Sequence, residues 1–321
     1  KPMRLFLLCL LCGMTSLSAQ IVGHWESRSP MPVPRSNLAT ASIVLNDTPF
    51  VYTFMGLDST KACGSGVRLE AFRYNTITDT WSQIADVPDT EGRIAASATA
   101  FGDKIYLIGG YKVFNNCSEF TSPRVDIYDP ATDSWSLGDS LFTPTDDHVQ
   151  VLWRDSLIYC VSVWFQTNNI RVVQTYDPQA DAWQFIGNIP GLGRFGHCGG
   201  ISGDTLFFMD GVRVQGNFVL IISVVLGVID PADASLTYIA LGQHPGPRVY
   251  RGGGFSYAGR FIVTGGTDNA YNVDGIGYNG IPSVETGRTF GYNPVTQSWE
   301  TYTPNPDSVM DVREVVLVNG N

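Results

Sequence analysis

Two histidines, His148 and His197, carry the first sign of chemistry in this sequence. Asp146 and Asp147 stand beside the first, and Arg194 lies just ahead of the second. Paired imidazoles with neighbouring carboxylates have the atoms to hold a metal ion or to move protons near neutral pH. The same residues suit a solvated polar rim without catalytic work. The other two histidines, His24 and His244, have no such neighbours. Arginines recur at Arg35, Arg93, Arg194, Arg248 and Arg313. Gathered at one mouth, their guanidinia would grip carboxylates or sugar acids; arginines that tie structural units together read equally well. The tract from Asp268 to Asn279 is rich in Asp, Asn, Gly and Tyr. As a calcium loop it fails at its last position, where Ile281 replaces the expected glutamate. Tyr271 and Tyr278 with their polar neighbours suit a sugar-binding surface better. No cofactor or metal site is assigned.

The elements that must position these residues are short strands. From Arg93 the chain runs through Ala95–Phe101, turns at Gly102-Asp103, and climbs Lys104–Ile108 into Gly109-Gly110. It resumes as Arg124–Tyr128, turns at Asp129-Pro130, and closes on Ser134-Trp135. Four strands in succession make an antiparallel meander, and the unit recurs roughly every 50 residues. Its clearest mark is the last turn, at Asn75–Trp81, Asp129–Trp135, Asp177–Trp183, Asp230–Leu236 and Asn293–Trp299. Asp or Asn caps that turn with its side chain, and Pro presets the next φ in four of the five. An aromatic ends the third strand at Tyr74, Tyr128, Tyr176 and Tyr292. Counted back from the turn aspartates Asp155 and Asp204, His148 and His197 fall at one register, that of Ala96. They are equivalent residues of successive units.

Composition agrees with an all-β chain: of 321 residues, 34 are Gly and 18 Pro, and 44% are apolar. The net charge of −10, with no basic cluster, argues against nucleic acid. Arg4, the apolar run Leu5–Cys12 and Ser16–Ala19 have the layout of a secretory signal peptide spanning residues 1–19. Export makes disulfides permissible. The apolar run Phe218–Ile229 is too short to span a membrane and reads as one buried strand. No transmembrane segment is expected.

The glycine doublets Gly109-Gly110 and Gly265-Gly266, the third-strand tyrosines and the fourth-strand tryptophans resemble kelch repeats. The resemblance covers residues 25–321 and implies a β-propeller of four-stranded blades. It places units at about 36–81, 93–135, 146–183, 195–236 and 249–299, within a domain of residues 20–321. Trp25 stands in a fourth-strand register, and 313–321 reads as a first strand. Together they imply a sixth blade shared by residues 25–30 and 313–321 and lacking its two middle strands because the chain stops. A five-bladed ring with frayed ends is the alternative. Short turns gather at one end of such a ring. The long connections, Leu57–Arg68, Tyr111–Pro123, Val212–Gly216 and Thr267–Glu285, gather at the other.

Variable loops on a rigid scaffold are where binding resides, so Asp147, His148, Arg194, His197, Arg248, Tyr271 and Tyr278 form the expected ligand-binding set. Cys63 and Cys117 sit at equivalent places in neighbouring blades on that face, within disulfide reach; Cys160 and Cys198 fall at packing positions. The resemblance implies a secreted module for a glycan or an extracellular protein, of unknown oligomeric state. Its alternative is an enzyme. The family includes a copper radical oxidase, whose cysteine–tyrosine pair has no match here, and a sialic-acid mutarotase, for which His148, His197 and Arg194 are the catalytic candidates.

Overall fold

The computed structural model describes residues 23–318, and within them every regular element is a strand. Five four-stranded antiparallel sheets follow one another along the chain. Their innermost strands are Ala39–Leu45, Ser97–Phe101, Val149–Trp153, Cys198–Ser202 and Gly253–Tyr257. Each pairs with the next strand of its own sheet through a short turn, two residues long in four of the sheets and three residues (154–156) in the third. Successive innermost strands lie side by side around a central channel, and apolar layers fill the wedges between sheets. The chain folds as a β-propeller.

The repeat signature has a physical role that spacing did not reveal. The Trp81 indole donates to Ser29 O (2.8 Å), Trp135 to Ala85 O (3.0 Å), and Trp183 to Asp139 O (2.9 Å). The backbone N–H groups of those same three residues donate to Asp79, Asp133 and Asp181. Each of these carboxylates is also bonded by the third-strand tyrosine of its blade, Tyr74, Tyr128 or Tyr176. One residue of the preceding blade is thus clamped at both its N–H and its C=O. Trp183→Phe should keep the ring packing and lose one such bond, lowering the unfolding free energy by about 1 kcal/mol in a urea titration. The glycine doublet has its own reason. Gly109 and Gly110 hold φ of 67° and 86°, and a methyl on Gly110 would stand 2.8 Å from Ala96 Cβ.

The sixth sheet is not formed among the described residues. Trp25 does keep its register, donating to Thr303 O (2.9 Å) as Trp81, Trp135 and Trp183 do to their neighbours. Residues 312–317 run between blades 5 and 1: Val312 N–H donates to Arg251 O (3.0 Å), and Ser42 Oγ donates to Leu317 O (2.6 Å). Neither segment is a strand, because among the described residues no middle strands stand between them to supply ladder partners. The proposed signal peptide, residues 1–19, lies outside the described residues.

The run Phe218–Ile229 is two strands rather than one. Asn217–Leu220 closes a hairpin with Val212–Gln215, and the third strand of blade 4 begins only at Ser223. Apolar content alone could not show this break, because hairpin and core strand share the same residue types. A second hairpin, Tyr111–Val113 with Glu119–Thr121, rises from blade 2.

Candidate functional site

Loops and hairpins from blades 1, 2, 4 and 5 stand over one end of the channel. Cys63 and Cys117 are joined in a disulfide with Cα atoms 5.1 Å apart, tying the blade 1 loop to the blade 2 hairpin. The loop 267–285 of blade 5 reaches across. Lys61 Nζ donates to Asp274 O (2.8 Å), and Val273 packs on the buried cluster that holds Leu57, Ile94 and Tyr111. This loop forms a roof.

Beneath it, the backbone forms a hoop at the starts of the innermost strands. Asp147 N–H donates to Ala95 O, Gly196 to Asp147 O, Arg251 to Gly196 O, and Val312 to Arg251 O, at 2.8–3.1 Å. Asn37, Ala95, Asp147, Gly196, Arg251 and Asp311 all hold φ between 53° and 62°, one at each position around the ring. The hoop turns Asp147 and Arg251 towards each other. Arg251 donates to both carboxylate oxygens of Asp147 (3.0 and 2.9 Å), and Arg313 bonds the same carboxylate. Arg251 also pairs with Asp311 at 3.3 Å and lies over the rings of Tyr250 and Tyr271. Burial works to raise the Asp147 carboxyl, but the two guanidinia outweigh it and hold it at about 2. Asp146 goes the other way, raised well above the usual carboxylate range by burial and by the Asp147 charge; its Oδ2 accepts from Thr121 Oγ1 (2.8 Å).

The channel below encloses a cavity of about 260 Å³ lined by all five innermost strands and by Arg313–Leu317. His148 and His197 both line it, 4% and 5% exposed, at equivalent positions in neighbouring blades. Burial lowers His148 to about 4 and His197 well below its usual value, so both imidazoles are neutral at physiological pH. His148 Nε2 meets Gln150 Oε1 at 3.1 Å, whereas neither His197 nitrogen has a hydrogen-bond partner among the described residues. Among those residues no three metal-ligating side chains converge.

Glu314 enters the same cavity and accepts the N–H groups of Thr40 (2.8 Å) and Ala98 (2.9 Å). Burial still raises it to about 8. A carboxyl protonated in the fold and ionised in the unfolded chain costs stability as pH climbs from about 4.3 towards its folded value. Glu314→Gln should therefore gain stability over wild type across that window, by at most about 1.4 kcal/mol per pH unit, in urea titrations at stepped pH.

The arginines do not form a ring of free guanidinia. Arg93 pairs with Asp126 (2.5 Å) and Asp89 (3.3 Å), and Arg35 pairs with Glu70 (3.4 Å). Arg194 donates to the carbonyls of Asp210 and Ser223 and to Ser223 Oγ. All three point into their own blades, because a buried guanidinium needs partners there. Arg248 is exposed, and of the five only Arg313 bonds Asp147 in the mouth. Arg251, which sequence register did not single out, is the central cation.

Tyr271 is 1% exposed, its ring packed on Tyr250 and under Arg251, so it belongs to the core beneath the roof and not to a surface. His244 is not alone: its Nε2 meets buried Asp210 Oδ1 at 2.7 Å, and half-buried Arg288 donates from Nη2 to Asp210 Oδ2 (2.6 Å). No sequence spacing links residues 210, 244 and 288. Cys160 and Cys198 are free and buried in blade packing.

The roof's outer surface is different in kind. Phe120, Ile276, Tyr278, Ile281 and Val284 are exposed on neighbouring loops. Tyr278 stacks on Phe218 of the blade 4 hairpin, with ring centres 3.7 Å apart and planes 10° from parallel. Tyr278 was legible from composition; Phe218 was hidden in the apparent strand.

The family model described as Kelch motif matches residues 92–141. The chain is 24% identical over 265 residues to Kelch-like protein terF of Aspergillus terreus, covering 77% of this chain and 53% of that protein. It is 32% identical over 113 residues to Kelch-like protein 25 of Xenopus tropicalis, covering 35% of this chain and 16% of the relative. With N-acetylneuraminate epimerase of Pasteurella multocida it shares 24% identity over 274 residues, 79% of this chain and 62% of that one. These alignments span half to two thirds of the first and third relatives and a small part of the second. The solved structure of YjhT superposes with a TM-score of 0.71 at 16% identity, over 90% of this chain and 89% of that one. That likeness is one of fold.

Proposed function

The chain belongs to the kelch-repeat family, and from that premise we propose that it is a secreted binding module that takes a glycan or an extracellular protein on its long-loop face. One observation carries the reading. The loop 267–285 roofs the channel, and the buried cations beneath are spent on Asp147, while the roof's outer surface leaves Phe120, Tyr278 and Ile281 half-exposed. Exposed apolar side chains clustered on loops favour association over catalysis. The disulfide and the signal-peptide layout of residues 1–19 support export. Screening the protein against arrayed glycans and matrix proteins, then mapping any hit by hydrogen exchange, tests it. Protection over 111–123, 212–220 and 267–285 is expected. Protection confined to the short turns at the other end, or no hit at all, would sink the reading.

A second reading has its own support. His197, whose two ring nitrogens have no partner among the described residues, lines the cavity that also holds His148 and Glu314, and one relative is named N-acetylneuraminate epimerase. A sialic-acid isomerase working in the channel would speed anomer exchange of N-acetylneuraminate in proton NMR. His197→Ala would abolish that acceleration. The binding-module reading expects none.

A further inference from the structure

Between the blade 4 hairpin and the loop 267–285 lies a cleft of about 480 Å³, lined by Asn217, Phe218, Asn269, Tyr278 and Asn279 with two small residues. We propose that this cleft is a subsite for a neutral pyranose unit of a glycan, with Tyr278 as its platform. The proposal rests on the long-loop reading above and names the ligand class of that face.

The platform is built in advance. Phe218 backs Tyr278 at 3.7 Å, and Trp164 and Phe195 back Phe218 in turn at 6.0 and 6.2 Å. Tyr278 N–H donates to Ala270 O (3.0 Å), which fixes the loop under the ring. Tyr278 itself remains 49% exposed. A half-exposed ring held rigid from behind offers its free face to C–H bonds at little entropic cost. The flat apolar side of a pyranose presents such bonds.

The rim supplies the complementary polar atoms. Asn269 Nδ2 donates to Asn279 Oδ1 and Ile281 O, both at 3.0 Å, and Asn279 Oδ1 also accepts from Ile281 N–H. These bonds orient two amides and leave Asn269 Oδ1 and Asn279 Nδ2 uncommitted. The Asn217 amide, at the hairpin tip, has no partner among the described residues. One acceptor, one donor group and one whole amide around an aromatic plate match the alternating donors and acceptors of sugar hydroxyls. No charged side chain lines the cleft. A sugar carboxylate placed there would lose water without gaining a cation, which selects a neutral unit. A protein partner would instead spread over the apolar side chains outside the cleft, Phe120 and Ile281 among them.

Calorimetric titration of the intact chain with cellopentaose, mannopentaose, xylopentaose and 3′-sialyllactose tests the proposal, using Tyr278→Ala, Tyr278→Phe, Asn217→Ala and Phe120→Ser. At least one neutral saccharide should bind. Tyr278→Ala should weaken it at least about tenfold, Asn217→Ala less so, and Tyr278→Phe hardly at all. Binding of sialyllactose in preference to every neutral saccharide, or no saccharide binding, overturns the proposal. Neutral-sugar binding that survives Tyr278→Ala but is lost in Phe120→Ser moves the site elsewhere on the long-loop face, ending the cleft assignment and sparing the broader reading. Binding indifferent to all four substitutions, with hydrogen-exchange protection at the short turns, ends both.

Discussion

Asp147→Ala is expected to lower the unfolding free energy by about 3–5 kcal/mol, because it strands two buried guanidinia. Arg251 and Arg313 are almost wholly enclosed and share the one Asp147 carboxylate, with Asp311 a secondary partner of Arg251. Their desolvation is compensated inside the hoop, and water cannot replace the lost anion beneath the roof. The drop would be read as a lower urea midpoint at unchanged slope. Asp147→Asn should cost less, since an amide oxygen still accepts one bond from either arginine. Acid should act in the same direction. With its folded value held at about 2, Asp147 contributes stability that is complete above its unfolded value of about 3.9. That contribution fades as pH falls towards 2, so wild type and Asp147→Ala should converge in stability at strongly acid pH. An Asp147→Ala protein as stable as wild type at pH 7 would show that the ion-pair cluster is not a keystone of the mouth.

Removing the disulfide is expected to have the next largest effect. Cys63 and Cys117 close a loop of 54 residues, for which chain entropy gives a loss of about 4 kcal/mol. The bridge spans two blades whose sheets are each complete without it, so the native fold should persist in Cys63→Ala/Cys117→Ala while the unfolded chain gains freedom. The local consequence is on the rim. The blade 1 loop 57–68 and the blade 2 hairpin would lose their covalent tie, and the Lys61–Asp274 bond that anchors the roof would hang from a looser loop. Limited proteolysis should then cut first within 57–68 or 113–119. Equal midpoints for wild type and the double variant would show that the denatured chain already keeps these loops together.

Much of this could be read without coordinates, and the reason is periodicity. A meander repeated about every 50 residues leaves its turn residues, tyrosines and tryptophans at fixed intervals, so the architecture and the end at which the long loops gather were legible. Repeat register also set His148 beside His197 and Cys63 opposite Cys117, since equivalent residues of adjacent blades must be neighbours. What register could not supply is side-chain direction. Arg35, Arg93 and Arg194 share a place in the repeat with one another, yet each turns away from the channel to a partner in its own blade. Arg251, two residues past that place, turns inward because its left-handed backbone aims it at Asp147. The Asp210–His244–Arg288 set joins side chains brought together by the packing of blade 5 on blade 4 rather than by any sequence interval. Tyr271 and Tyr278 are neighbours of one composition in one loop, and packing alone made the first a core residue and the second a surface. Repeats encode where a backbone goes; which way a polar side chain faces follows from the partners that folding happens to enclose with it.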